Sequence, residues 1–197
     1  MVVATTEIIV IGGSAGSLSV LLKIIKLLPD DFSIPIVVVV HRQRNVISEF
    51  TKILASANKN KKIIEPDDKE PIKNACIYIA PQNYHLLIET DLTFSLDYSE
   101  AVKFSRPSID VTLEAAADVY KEKLLAILLS GANNDGTAGL KKVLAMKGIA
   151  IAQEPNTAEF AAMPQSAIDN VPGVLVFEPS KIEEYIKRVN FLFQIKG

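Results

Sequence analysis

The stretch Glu7–Ser17, EIIVIGGSAGS, decides the fold. Its first half is an unbroken, largely β-branched run, the pattern of a strand covered on both faces. Glycines end the run, and a serine follows among small residues. From Leu18 the period changes. Leu18, Leu21, Leu22, Ile25 and Leu28 recur at three- and four-residue spacing up to Pro29, which predicts a helix. Pro35–His41, PIVVVVH, is a second buried strand, and Val46–Ala57 has the spacing of a second amphipathic helix. Shorter strands are expected at Cys76–Ala80, His85–Ile88 and Leu92–Leu96, a stretch that reads as an antiparallel insert or sheet edge. Ser108–Lys123 reads as helix, Leu124–Leu129 as strand, and Thr137–Lys147 as a helix ended by Gly148. Ile149–Ala152 and Val174–Phe177 are further strands. Lys181–Phe193 closes the chain as a helix whose apolar stripe docks on the same core.

Strands alternating with helices at this spacing predict an α/β fold. The expected architecture is a doubly wound, mainly parallel sheet with helices on both faces, three layers deep and Rossmann-like, with a short antiparallel insert. No linker-like composition or repeat divides the chain, so residues 1–197 are read as one domain. An apolar content of 49%, with 21 basic against 23 acidic residues, excludes intrinsic disorder. The net charge of −2 lacks the basic excess on which a phosphate-neutralising nucleic-acid binder relies. A single cysteine, Cys76, cannot form an intrachain disulfide and reads as a small core residue. No Cys/His spacing suggests zinc, no apolar run approaches membrane-spanning length, and no signal-peptide pattern opens the chain. The expectation is a cytoplasmic protein with no metal, cofactor, nucleic-acid partner or membrane insertion. Lys59–Lys62 reads as a solvated basic turn.

Ligands of parallel sheets sit beyond the carboxyl ends of the strands. That rule selects Gly12–Ser17, His41–Arg44 and Ser130–Gly136. Gly12-Gly13-Ser14-Ala15-Gly16 fits G-x-S-x-G at a strand-to-helix junction, where flanking glycines let the backbone turn and leave a serine hydroxyl exposed. The bland alternative is a tight turn, with or without a bound phosphate. However, G-x-G-x-x-G fits no register here and no G-K-[ST] follows. A ribose-binding site also expects an acid at the end of the second strand, and His41 stands there instead. Imidazole is suited to general-base work at neutral pH, although a strand-ending histidine can equally bond a loop carbonyl. Asp135 is the one carboxylate in Ser130–Gly136; it fits either an orienter of the imidazole or a plain helix cap. His85 reads as a half-buried strand residue. The order Ser, His, Asp differs from the Ser, Asp, His of the α/β-hydrolase fold.

Taken with Ile79-Ala80-Pro81 and His85, Arg106-Pro107-Ser108-Ile109-Asp110, Leu129-Ser130-Gly131, Asn134-Asp135-Gly136, Ala152-Gln153 and Met163-Pro164, these segments resemble the catalytic domain of the chemotaxis protein-glutamate methylesterases. The resemblance covers nearly the whole chain, in the family's order and approximate spacing. It implies a serine hydrolase that converts methylated receptor glutamates to glutamate and methanol, and related enzymes deamidate receptor glutamines. On matching positions it makes Ser14 the nucleophile, His41 the base and Asp135 the orienter. Its implied partner is a methylated receptor helical bundle. Backbone N–H groups at Ala15, Gly16 and the Ala132 loop are expected to hold the oxyanion. The chain departs from the family pattern at Ala15, Gly16 and Ser17, at Arg42 and Gln43, and at Ala132 and Asn133. Ala132 is expected to widen the acyl pocket, and Arg42 to add positive charge beside its mouth. No receiver domain is read ahead of the first strand, and Asp30 and Asp31 follow a helix rather than a strand, so control is expected from a separate regulatory protein. The rival readings are a non-catalytic anion- or protein-binding module on the same fold, and a deamidase with little esterase activity.

Overall fold

The β-branched runs become strands because successive side chains point to opposite faces of a sheet, and each face here has its own core. A computed structural model describes residues 5–42 and 49–196. In chain order its elements are β1 (Ile8–Gly13), α1 (Leu18–Lys26), β2 (Ile36–Val40), α2 (Phe50–Ala57), β3 (Lys62–Ile64), β4 (Cys76–Ile79), β5 (His85–Ile88) and β6 (Phe94–Asp97). Then follow α3 (Ile109–Tyr120), β7 (Leu124–Leu128), α4 (Thr137–Ala145), β8 (Ile149–Gln153), α5 (Ala162–Asn170), β9 (Leu175–Phe177) and α6 (Pro179–Lys196). Seven strands form one sheet in the order β3-β4-β2-β1-β7-β8-β9, and every neighbouring pair is parallel. Ile8, Val10, Val37, Val39, Ala126 and Leu128 face one core with α3 and α4. Ile9, Ile11, Ile36, Val38, Leu125 and Ile127 face the other, with α1 and α6. A fully buried Ile or Leu contributes about 1.5–3 kcal/mol. The doubly wound, three-layer expectation therefore holds.

Several local expectations need correction. Cys76–Ile79 is no antiparallel edge: it lies inside the parallel sheet between β3 and β2, wholly buried. Among the named strands of the described residues, β5 and β6 alone pair antiparallel, as a separate two-stranded sheet. The Lys59–Lys62 run is not a solvated turn throughout. Lys61 is buried, its ammonium donating to the carbonyls of Asp30 and Phe32 at 2.7 and 3.1 Å, and Lys62 opens β3. Those two carbonyls stand in for water, while burial lowers the lysine's pKa. Helix α4 ends without using Gly148 as its left-handed residue. Lys147 takes that conformation at φ 65°, and the Gly148 N–H closes the turn on the Val143 carbonyl. Helix α5 carries no clear apolar period and was not anticipated. Of the expected Val46–Ala57 helix, α2 supplies Phe50–Ala57, whereas Val46, Ile47 and Ser48 lie outside the described residues. Helix α6 docks through Ile182, Ile186 and Val189, as its stripe suggested. Among the described residues no helix is long and apolar enough to cross a membrane.

Candidate active site

Strand β1 lies between β2 and β7, and the chain moves outward in opposite directions on its two sides. The carboxyl end of β1 is thus where the strand order reverses, the place at which an open α/β sheet has its crevice. The last paired residues are Gly13 with Val40 and Gly12 with Leu128. Ser14 and His41 come next on adjacent strands. The His41 N–H donates to the Gly13 carbonyl at 3.3 Å, and the Ser14 N–H donates to the Ser130 carbonyl at 2.9 Å. The three segments singled out by sequence therefore meet at one edge.

The turn bearing half-buried Ser14 is held on both sides. Its carbonyl accepts the Ser17 hydroxyl at 2.7 Å and the Ser17 N–H at 3.1 Å. Next to it, the Ala15 carbonyl accepts the Ser130 hydroxyl at 2.8 Å. Gly16 sits at φ 76°, and a Cβ there would lie 2.5 Å from Glu159 Cβ, so this bend requires glycine. Among the described residues, no hydrogen bond engages the N–H groups of Ala15 or Gly16. Together with the start of α1, they form a cluster of free donors suited to a developing anion.

Asp135 lies wholly buried and gathers donors from three directions. Its Oδ2 accepts His41 Nε2 at 2.8 Å and the Ile109 N–H at 2.7 Å. Its Oδ1 accepts the Ser108 hydroxyl at 2.9 Å and the N–H groups of Asp110 and Gly136 at 3.0 Å each. Burial alone would raise the pKa of this carboxyl. The bonds from His41, Ile109 and Asp110 outweigh it and hold the pKa at about 2. The expected alternative, a cap on its own helix, is replaced by something else. Gly136 is the N-cap of α4, while the Asp135 carboxylate sits at the N-terminus of α3, where free N–H groups and the helix dipole favour an anion. Helix α3 comes that close because Gly12 has no side chain: a Cβ there would lie 2.4 Å from Ile109 Cγ2.

Four supporting residues carried no assigned role in the sequence. Ser108 caps α3 and bonds Asp135; the signal was a serine following Arg106-Pro107 with Asp110 in the first helical turn. His85 is buried rather than half-buried. Its Nδ1 accepts the Ser108 N–H at 3.1 Å and its Nε2 donates to the Glu100 carbonyl at 3.0 Å. This histidine fixes the residue that fixes Asp135. Gln153, also buried, accepts the Ser130 N–H at 3.0 Å and thereby braces the loop behind Ser14. Asp110, pushed up by burial in spite of its 2.7 Å bond from Lys103, accepts the Gly139 N–H and joins α3 to α4.

Arg42 departs from expectation. Its side chain is only 6% exposed; it donates to Glu65 Oε1 at 2.8 Å and to the Ala80 carbonyl at 2.6 Å. The charge expected beside the mouth is neutralised by Glu65, and the guanidinium is committed to the β4 end. Ala132 is exposed on the loop before Asp135. Among the described residues no group of three or more His, Cys, Asp or Glu side chains is arranged to hold a metal ion.

A parallel sheet whose switch point carries a serine turn, an imidazole and a buried carboxylate belongs to the class of α/β carboxyl-ester hydrolases. The CheB methylesterase family pattern matches residues 9–186, and the chain belongs to that family. It is 47% identical over 184 residues to a Leptospira interrogans protein assigned the name protein-glutamate methylesterase/protein-glutamine glutaminase, covering 93% of this chain and 95% of that one. It is 37% identical to the Thermotoga maritima protein of the same name, covering 90% of this chain and 52% of the relative. The crystal structure of the Thermotoga maritima CheB methylesterase catalytic domain superposes with a TM-score of 0.86 at 35% identity, covering 93% of this chain and 98% of that one. The enzyme reading thus stands over the non-catalytic binding module.

Proposed function

We propose that residues 1–197 act as one cytoplasmic catalytic unit that demethylates glutamate methyl esters on the helical bundle of chemoreceptor-like proteins. Ser14 Oγ attacks the ester carbonyl as His41 takes its proton. With Nε2 engaged with Asp135, Nδ1 is the nitrogen left for this task. The Asp135 carboxylate holds the ring and stabilises the imidazolium as it forms. The N–H groups of Ala15 and Gly16, with those of the Ala132 loop, receive the negative charge on the carbonyl oxygen. His41 then returns the proton to the leaving methoxide, which departs as methanol. Water, deprotonated by His41, attacks the Ser14 ester and releases the glutamate carboxylate and the serine hydroxyl. The same acyl chemistry on a glutamine side chain would release ammonia, in keeping with the second half of the relatives' names. Regulation comes from a separate protein that covers or exposes this edge.

The observation that carries the reading is the 2.8 Å His41–Asp135 bond one residue beyond the strand pair that also presents Ser14. The test is methanol release from a methylated receptor fragment, measured beside ammonia release from the corresponding glutamine fragment. Ser14→Ala is expected to lower methanol release by about 10⁴- to 10⁶-fold with the thermal midpoint nearly unchanged. A variant keeping a tenth of the wild-type rate would remove Ser14 from the mechanism. Ammonia without methanol would favour the deamidase.

A further inference from the structure

Beside the serine turn lies an open pocket of about 360 Å³ that the proposed chemistry does not use, lined by Gly16, Leu18, Ser19, Leu22 and Glu159. Gly16 is two residues from Ser14, so at most about 7 Å separates their Cα atoms, and the pocket adjoins the place where an ester would be attacked. Leu18 and Leu22 stand one helical turn apart on α1 and give the pocket an apolar wall. Glu159 brings a carboxylate to it and Ser19 a hydroxyl.

The backbone next to Glu159 is anchored to the serine turn. The Phe160 N–H donates to Ser130 Oγ at 2.9 Å, the Phe160 carbonyl accepts the Gly131 N–H at 3.0 Å, and the Ser130 hydroxyl donates to the Ala15 carbonyl at 2.8 Å. A Cβ on Gly16 would lie 3.0 Å from Glu159 Oε2, so the carboxylate itself reaches the bend. Yet among the described residues no hydrogen bond or ion pair engages that carboxylate, and none engages the Ser19 hydroxyl. Lys23 and Lys26, further along α1, line a different groove with Pro179 and Glu183. The fold thus holds a charge in place beside the catalytic turn and gains no bond from it.

One kind of side chain suits such a pocket. Lysine and arginine carry a hydrocarbon stem that packs on leucines and a cationic head that donates to oxygen. On a helix, residues three or four positions from an esterified glutamate share its face, with Cβ atoms about 5–6 Å apart, a step comparable to that from Ser14 to Gly16. We propose that Glu159 is a specificity-determining residue: with Leu18, Ser19 and Leu22 it takes a basic side chain that the substrate protein presents three or four residues from its esterified glutamate. The inference rests on the proposed esterase reading and adds to it which methyl esters are preferred. An acidic side chain at the same place gains no partner and turns to water, so it ranks with a neutral one.

The experiment gives wild type, Glu159→Gln and Glu159→Lys a set of helical peptides bearing one glutamate methyl ester, with lysine, glutamine or glutamate placed one helical turn to either side of it. Methanol release supplies kcat/KM, and the readout is the ratio between peptides within each protein, which cancels any general change in activity. Wild type is expected to favour lysine over glutamine about threefold to fivefold at low salt, through KM, the range of an exposed ion pair. That ratio should shrink at about 0.5 M salt, where exposed charges are screened. Glu159→Gln should bring it to about one, and Glu159→Lys should reverse it in favour of the glutamate peptide. Equal wild-type values for the lysine and glutamine peptides, or a lysine preference that survives in Glu159→Gln, would overturn the inference while leaving the esterase reading intact. No methanol from any of the peptides with wild type would overturn the esterase reading, and this inference with it.

Discussion

Replacing Asp135 with asparagine keeps the side chain's shape and removes its charge, and the geometry sets the consequence. The carboxylate accepts five hydrogen bonds, three at Oδ1 and two at Oδ2. An amide has only one oxygen. With the oxygen at the Oδ1 position, the NH₂ group faces the Ile109 N–H and His41 Nε2. In the reverse orientation it faces the N–H groups of both Asp110 and Gly136, while the Ser108 hydroxyl can rotate to accept. The first orientation opposes one rigid buried donor and the second opposes two, so the first prevails. One unsatisfied buried N–H costs about 1–3 kcal/mol, and loss of the charge-assisted bonds adds to that. A destabilisation of about 2–4 kcal/mol is expected in urea denaturation. The same orientation makes the amide donate to His41 Nε2, which moves the ring proton to Nδ1. A ring protonated at Nδ1 cannot take the Ser14 proton, and kcat should fall about 10⁴-fold. Methanol release and urea midpoints on the same preparation check both numbers. A variant within 0.5 kcal/mol of wild type, or retaining a tenth of its kcat, would refute the account of Asp135.

Four further outcomes follow from the same geometry. His41→Ala should cost about 10⁴-fold or more in kcat; His85→Ala should cost far less activity but about 3–5 kcal/mol of stability, because it strands the Ser108 N–H and the Glu100 carbonyl, and the reverse ranking with the fold intact would show the base wrongly assigned. Since the Asp135 pKa is about 2 when folded, against about 3.9 for an ordinary aspartate, its contribution of about 2 kcal/mol is present above pH 3.9 or so and disappears as pH falls toward 2; stability measured across that window in wild type and Asp135→Asn should converge at its acid end. Gly16→Ala forces a Cβ to 2.5 Å from Glu159 and 2.8 Å from Ser130 Oγ at a positive φ, so about 1–3 kcal/mol of stability and roughly tenfold in kcat should be lost; a thermal midpoint equal to wild type would contradict it. With Arg42 paired to Glu65, acidic and neutral ester peptides should give kcat/KM values within about twofold at low and high salt, and a salt-sensitive preference for the acidic peptide would mean that the guanidinium acts at the mouth after all.

By itself the sequence determined what depends on chain neighbours. Unbroken runs such as Ile8–Ile11 and Ile36–Val40 report burial on both faces, and that burial demands a helical layer on each side. The change from strand to helical period at Leu18 marks a βα turn, and the same reading placed Ser14, His41 and Asp135 just beyond strand ends. Partners were not legible. Asp135 meets His41 across 94 residues and Ile109 across 26, and the second contact exists because Gly12 lets α3 lie close against β1. His85 looked like an ordinary strand residue until its ring nitrogens were found between Ser108 and Glu100. Arg42 read as a charge beside the mouth and Lys61 as part of a solvated turn because a charged side chain usually keeps to water; Glu65 with the Ala80 carbonyl, and the Asp30 and Phe32 carbonyls, take water's place only once β3 and β4 have joined the sheet. Periodicity is a local record of which side of an element avoids water. Hydrogen-bond partners and the fate of a charge are decided by which elements come to lie against one another, and that is settled only when the layers pack.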